Sequence, residues 1–98
     1  MKQEILQYAE NNGWRYVNNG LIKTFSFENF YAAQQWINDV VADTAKNLNH
    51  HPNIMWEINK VTLITYTKDA NDVTEKDLDL IKKIDAETVN LTNSTHYK

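Results

Sequence analysis

The chain has 98 residues and a net charge of −3, with 10 Lys and Arg scattered among 13 Asp and Glu; it offers no basic stripe for a phosphate backbone, so no direct nucleic-acid partner is expected. Hydrophobic residues make up 42%, with three Trp, five Tyr and three Phe against two Gly and one Pro, the composition of one globular domain over residues 1–98 that buries roughly 60 to 65% of its unfolded surface. Cys is absent, which excludes disulfides and thiolate metal sites, and no stretch approaches a signal peptide or the ~20 apolar residues of a membrane span, so a cytoplasmic protein with no membrane partner is expected.

Lys2 to about Asn11 places Ile5, Leu6, Tyr8 and Ala9 at helical spacing, and Asn12-Gly13 supplies a positive-φ stop. Trp14 to Val17 and Leu21 to Phe25 flank Asn18-Asn19-Gly20, whose Asn-Gly favours a type I′ hairpin turn. From Phe27 onward, Phe30, Ala33, Ile37, Val40, Val41, Thr44 and Leu48 recur every three or four residues. They predict one long amphipathic helix with Ser26 as its N-cap. Ile54, Trp56 and Ile58 alternate with Met55, Glu57 and Asn59, and a second alternating run from Val61 to Tyr66 follows Asn59-Lys60, which predicts another hairpin. Thr74-Glu75-Lys76-Asp77 is spaced as an acidic capping box, opening a last helix with Leu78, Leu80, Ile81, Ile84 and Val89 on its apolar face. Thr92 to Lys98 form a polar end expected to fray, and Asn90-Leu91-Thr92 and Asn93-Ser94-Thr95 match the glycosylation tripeptide without a secretion signal. The order α-β-β-α-β-β-α predicts an α+β fold: a four-stranded antiparallel sheet with helices packed on one face.

His50-His51-Pro52, at the end of the long helix, is the stretch best suited to chemistry. Imidazole gives and takes protons near neutrality, and Pro52 pushes His51 toward extended backbone, so the two rings point in different directions. A bare His-His-Pro by itself suits a polar helix-to-strand loop better than a site. A metal site is not expected, since the remaining histidine is His96 and no His-x-x-x-His is present. A serine elbow and a phosphate-cradling glycine loop are also missing.

The run Lys46-x-x-x-His50-His51-Pro52, followed by Asn59-Lys60-Val61, Thr65 to Lys68 and Thr74-Glu75-Lys76-Asp77, resembles the pterin-4a-carbinolamine dehydratase family. The likeness extends upstream through Asn12-Gly13-Trp14 and Lys23-Thr24-Phe25-Ser26-Phe27-Glu28-Asn29-Phe30. It implies that His50, His51 and Asp77 are catalytic, that Pro52, Trp14 and Lys68 contact a pterin substrate, and that no metal or organic cofactor is needed. The capping box offers Asp77 a second role, and a core position offers Trp14 one. This sequence departs from the family at three places: Lys68 stands where a third histidine falls, Ile58 replaces an aromatic, and Lys46 replaces a residue that is often acidic. Lys68 could donate a proton or hold an anion there, with Ile64 and Tyr66 on its strand face.

By resemblance the activity is that of a hydro-lyase, converting 4a-hydroxytetrahydropterin (tetrahydrobiopterin class) to quinonoid dihydropterin and water, with His50 as principal acid/base and His51 orienting the pterin. The family also includes a member that assists dimerisation of a transcription factor, so a non-catalytic binding or scaffold homologue is the alternative. A homodimer or homotetramer is expected, with Tyr31, Trp36 and Val40 as apolar surface to spare.

Overall fold

The computed structural model describes residues 1–92, with side chains described as far as Asn90; the polar end from Asn93 onward, with Asn93-Ser94-Thr95 and His96, lies outside the described residues. Helix α1 (Lys2–Asn11) buries Ile5 and Ala9, one turn apart. Gly13, at φ +80°, lets the Trp14 N–H reach the Ala9 carbonyl at 2.9 Å. That is the outer bond of a Schellman stop, which Asn12-Gly13 predicts.

Strands β1 (Arg15–Val17) and β2 (Gly20–Ser26) form the first hairpin. Its turn is Asn18-Asn19, at φ 50° and 65°, and not Asn19-Gly20, because Val17 pairs with Gly20. Asparagine tolerates the left-handed backbone that both central positions need. Gly20 thereby opens β2, where a Cβ would make ordinary van der Waals contact with Ile64 Cγ2 at 3.4 Å.

Strands β3 (Asn53–Glu57) and β4 (Lys60–Thr65) form the second hairpin, and the sheet runs β1-β2-β4-β3 with every neighbour antiparallel. Glu57 pairs with Lys60, so this turn is Ile58-Asn59, one residue earlier than the sequence suggests. Asn59 fixes it: its carbonyl accepts the Phe27 N–H at 2.8 Å and its amide donates to the Phe27 carbonyl at 2.9 Å. The register forces Ile58 to φ 53°, a conformation β-branched residues resist. Since Ile58 is exposed, Ile58→Gly is expected to raise unfolding free energy by about 1 kcal/mol, the ordinary cost of a left-handed non-glycine residue. Urea denaturation checks this, and an unchanged or lower midpoint would count against the strain.

The long helix is one continuous run in three parts: α2 (Phe30–Trp36), a π-helical segment (Ile37–Ala42) and α3 (Asp43–Leu48). Its N-cap is Asn29, not Ser26. Ser26 is still paired with Lys60 in β2, whereas Asn29 accepts the Ala32 N–H at 2.9 Å. The buried stripe passes through Ala33, Trp36, Val40 and Val41. Trp36, fully buried, packs on Phe25 and Phe27 with centroids at 4.6 and 5.0 Å and donates to Thr88 Oγ1 at 2.8 Å. Of the three residues expected to be surplus apolar surface, Trp36 and Val40 are therefore core, and only Tyr31 is exposed. Phe30 and Leu48, expected within the stripe, are also exposed.

Helix α4 (Glu75–Thr92) buries Leu78, Leu80, Ile81 and Ile84 against the same core, while Val89 is exposed and not part of its packed face. Cross-strand rows led by Phe25 and Val61 face the helices, while Thr24, Thr62 and Met55 line the open face. The α+β architecture expected from the sequence is the one observed. Among the described residues no helix is long and apolar enough to cross a membrane.

Candidate active site

Helix α3 ends in a Schellman motif that delivers the histidine pair. Asn49 is left-handed at φ 51°, its N–H reaches the Lys46 carbonyl at 3.3 Å, and the His50 N–H reaches the Ala45 carbonyl at 3.1 Å. The chain turns sharply here, setting the His50 ring against the start of α4.

There Nε2 of His50 lies 2.7 Å from Oδ1 of Asp77, a fully buried side chain. Oδ1 also accepts the Thr65 hydroxyl at 2.5 Å. Oδ2 accepts the Thr67 hydroxyl at 2.7 Å and the Thr74 N–H at 2.9 Å. The last of these closes the capping box, with the Lys76 N–H on Thr74 Oγ1 at 3.3 Å. Thr67 already donates to Asp77, so in its 2.6 Å contact with Thr74 it is the acceptor. The result is a directed chain, Thr74 to Thr67 to Asp77, ending on a carboxylate that only accepts. His50 must then carry its hydrogen on Nε2 to complete the set. Nδ1 makes no hydrogen bond to the described residues, and no buried side-chain nitrogen or oxygen among them is unpartnered, so Nδ1 is open to the outside.

Two shallow hollows adjoin the pair. One, of about 250 Å³, is lined by His50, His51, Tyr66, Lys68, Asp69 and Lys76, with Asn49 and Thr67. The other, of about 180 Å³, is lined by His51, Asn53, Ile64, Tyr66 and Lys68 on the open side of the sheet. They meet at His51, Tyr66 and Lys68. A larger hollow of about 530 Å³ lies between the helical run and α4, lined by Asp39, Asp79, Lys82 and Glu87 among others and by no histidine. Volume favours that groove, but acid/base chemistry favours the smaller ones.

The six residues singled out in the sequence do not all converge. His50, His51 and Lys68 share one hollow, and Asp77 lies behind His50, closed off from it. Lys68, exposed, opens a single 3₁₀ turn (Lys68–Ala70), with Ile64 and Tyr66 beside it as the alternation predicts. Pro52, half-buried, lines neither hollow. Trp14 is elsewhere: it is buried against Phe25 with its indole N–H on Asp85 at 2.9 Å, and it lines a separate hollow beside α1. Tyr66 lines both hollows beside Lys68 as expected, while Thr65 and Thr67 join the site with no role expected of them from the sequence. The signal they leave is two threonines alternating at and just beyond the end of β4, within the run Thr65 to Lys68 that carries the family resemblance, ahead of a Thr-x-x-Asp box. Among the described residues no group of three or more His, Cys, Asp or Glu could hold a metal ion.

The chain resembles proteins named "Putative pterin-4-alpha-carbinolamine dehydratase". That of Sulfolobus acidocaldarius is 41% identical over 76 residues, 78% of this chain and 82% of the relative. That of Picosynechococcus sp. is 35% identical over 85 residues, 87% and 88% of the two chains. A transcriptional coactivator/pterin dehydratase from Brucella melitensis has a similar crystal structure, with a TM-score of 0.78, 29% identity, and coverage of 87% of this chain and 89% of that one. A pterin dehydratase-like protein identified as a RuBisCO assembly factor in the alpha-carboxysome shares the fold, with a TM-score of 0.62, 21% identity, and coverage of 76% and 87%. The family model described as pterin 4 alpha carbinolamine dehydratase matches residues 1–87, and the chain belongs to that family.

Proposed function

We propose that the His50 hollow catalyses dehydration of a 4a-hydroxytetrahydropterin to the quinonoid dihydropterin. The observation that carries this reading is the 2.7 Å contact between His50 Nε2 and a carboxylate with all its other partners donating. Such a carboxylate fixes the ring and its tautomer and leaves Nδ1 as the working atom. The reaction breaks the C4a–O bond, the departing hydroxyl takes a proton and leaves as water, and the neighbouring ring nitrogen gives one up. Oxidation state does not change, so one imidazole can serve both transfers, giving a proton to the hydroxyl and receiving one from the nitrogen. His51 forms the wall shared by the two hollows and orients the ring. Asp77 acts through His50 and Lys68 contacts the substrate at the rim. In stopped-flow measurements on freshly generated 4a-hydroxytetrahydropterin, the wild-type protein is expected to exceed the uncatalysed rate at catalytic concentrations. A folded protein that gives only the background rate would overturn the reading in favour of a binding or scaffold role.

Self-association through β3 belongs to the same proposal. β3 is a sheet edge with all five residues exposed, and Ile54, Met55, Trp56 and Ile58 present apolar surface. Trp56 stacks on Phe30 at 4.4 Å, next to exposed Tyr31. An apolar edge with free backbone donors and acceptors invites a second strand, and a two-fold axis lets a copy of the same strand supply it. Light scattering is expected to give a dimer or tetramer for wild type and a smaller species for Trp56→Lys. A wild-type monomer at high concentration would contradict this.

A further inference from the structure

The second hollow, on the open side of the sheet, has a lining unlike the rest of this acidic surface. Its polar side chains are the Asn53 amide, the Tyr66 hydroxyl, the Lys68 ammonium and the His51 ring. Each can donate a hydrogen bond, and no carboxylate lines it. Asp69, an exposed carboxylate, lines only the His50 side. Among the described residues Lys68 has no carboxylate in salt-bridge range, as is also true of Lys76 across the adjoining hollow. Donors converging around an unpaired cation form a site for an oxyanion. At about 180 Å³ the hollow suits a short substituent better than a fused ring. It joins the first hollow at His51, Tyr66 and Lys68, so a molecule with its ring over His50 can extend a side chain into it.

We propose that this hollow receives an anionic group, a carboxylate or a phosphate, on the side chain of the pterin, with Lys68 as its principal contact. The assignment rests on the pterin reading of the His50 hollow. The substrate class is thereby narrowed to pterins with a negatively charged substituent.

Calorimetric titration with three 7,8-dihydropterins tests it: one with a neutral polyhydroxyalkyl side chain, its phosphate ester, and one whose side chain ends in a carboxylate. At least one anionic ligand is expected to bind about tenfold tighter than the neutral one, as a partly exposed charge-assisted contact allows. Which anion wins identifies the source. The advantage is expected to shrink with added salt, collapse in Lys68→Gln and return in Lys68→Arg. Equal binding of all three ligands, or an advantage that survives Lys68→Gln, overturns the anion site while leaving the pterin reading intact. Failure of every pterin to bind overturns both.

Discussion

Asp77→Asn is expected to lower kcat by about 10²- to 10⁴-fold, as much as removing His50 itself, because an amide in place of the buried carboxylate puts the catalytic imidazole in the wrong tautomer. The size of the effect follows from which partners can change roles. Asp77 accepts four hydrogen bonds, and an asparagine must turn an NH₂ group toward two of them. At the Oδ2 position that group faces the Thr74 backbone N–H, which can only donate. At the Oδ1 position it faces the Thr65 hydroxyl, which can rotate, and His50 Nε2, which can give up its hydrogen. The second arrangement costs less. It moves the imidazole hydrogen to Nδ1, where the lone pair facing the hollow is lost. Stability should fall by only about 1 to 3 kcal/mol, the cost of one poorly satisfied buried group, so the variant stays folded. Steady-state kinetics beside thermal unfolding check this, and activity within threefold of wild type would show that Asp77 does not set the tautomer.

Asp85→Ala is expected to be the most damaging substitution away from the site, at about 3 kcal/mol of stability, measured by urea denaturation. Asp85, almost fully buried, accepts the Tyr8 hydroxyl at 2.8 Å, the Trp14 indole N–H at 2.9 Å and the Lys23 ammonium at 3.0 Å. One carboxylate thus ties α1, the residue before β1, the middle of β2 and α4 together. Lys23 also lies over the Phe25 ring at 4.8 Å. Alanine leaves the indole N–H without an acceptor and the mostly covered ammonium with the Asn12 carbonyl at 2.8 Å but no counter-charge, and breaking such a pair costs more than forming it gains. Residual exposure of Lys23 keeps the loss toward the lower end of the buried range. The network also has a pH signature. Burial, and then the hydrogen bond to Asp85, push the Tyr8 phenol well above its ordinary value near 10. The folded state therefore holds that proton longer than the unfolded chain, so its contribution is complete below pH ~10 and declines as pH rises further. Asp85→Ala should flatten this alkaline decline. A loss under 1 kcal/mol would mean that water replaces the carboxylate without cost.

The element order was legible because each helix and strand has the period its environment requires. Ile5 and Ala9, Leu78 with Ile81, and Val61 with Leu63 and Thr65 are buried at helical or strand spacing. The shifts came where neighbouring residues compete for one role. Asn29 takes the cap because Ser26 remains in the ladder, and Asn18-Asn19 takes the turn because Gly20 pairs with Val17 and both asparagines accept the left-handed backbone. Trp36 lies at three- and four-residue spacing from Ala33 and Val40, so its burial is readable in the sequence, although the predicted stripe runs through its half-buried neighbour Ile37. The candidate site was legible in part. In the sequence the histidine pair and the Thr74–Asp77 box are separate local features, grouped only by the family resemblance. That the box's carboxylate serves His50 depends on the end of α3 meeting the start of α4 across 27 residues of chain, which no local pattern encodes. The placement of Trp14 beside Asp85 is of the same kind.

The proposal that His50 Nδ1 moves the protons is tested most directly by comparing wild type with His50→Ala in a single-turnover dehydration assay, both proteins shown to be folded by circular dichroism. The predicted result is an enzyme-dependent rate for wild type that falls by about 10² to 10⁴ in His50→Ala, the usual worth of a positioned general acid/base. An enzyme-dependent rate that survives His50→Ala unchanged would contradict the account.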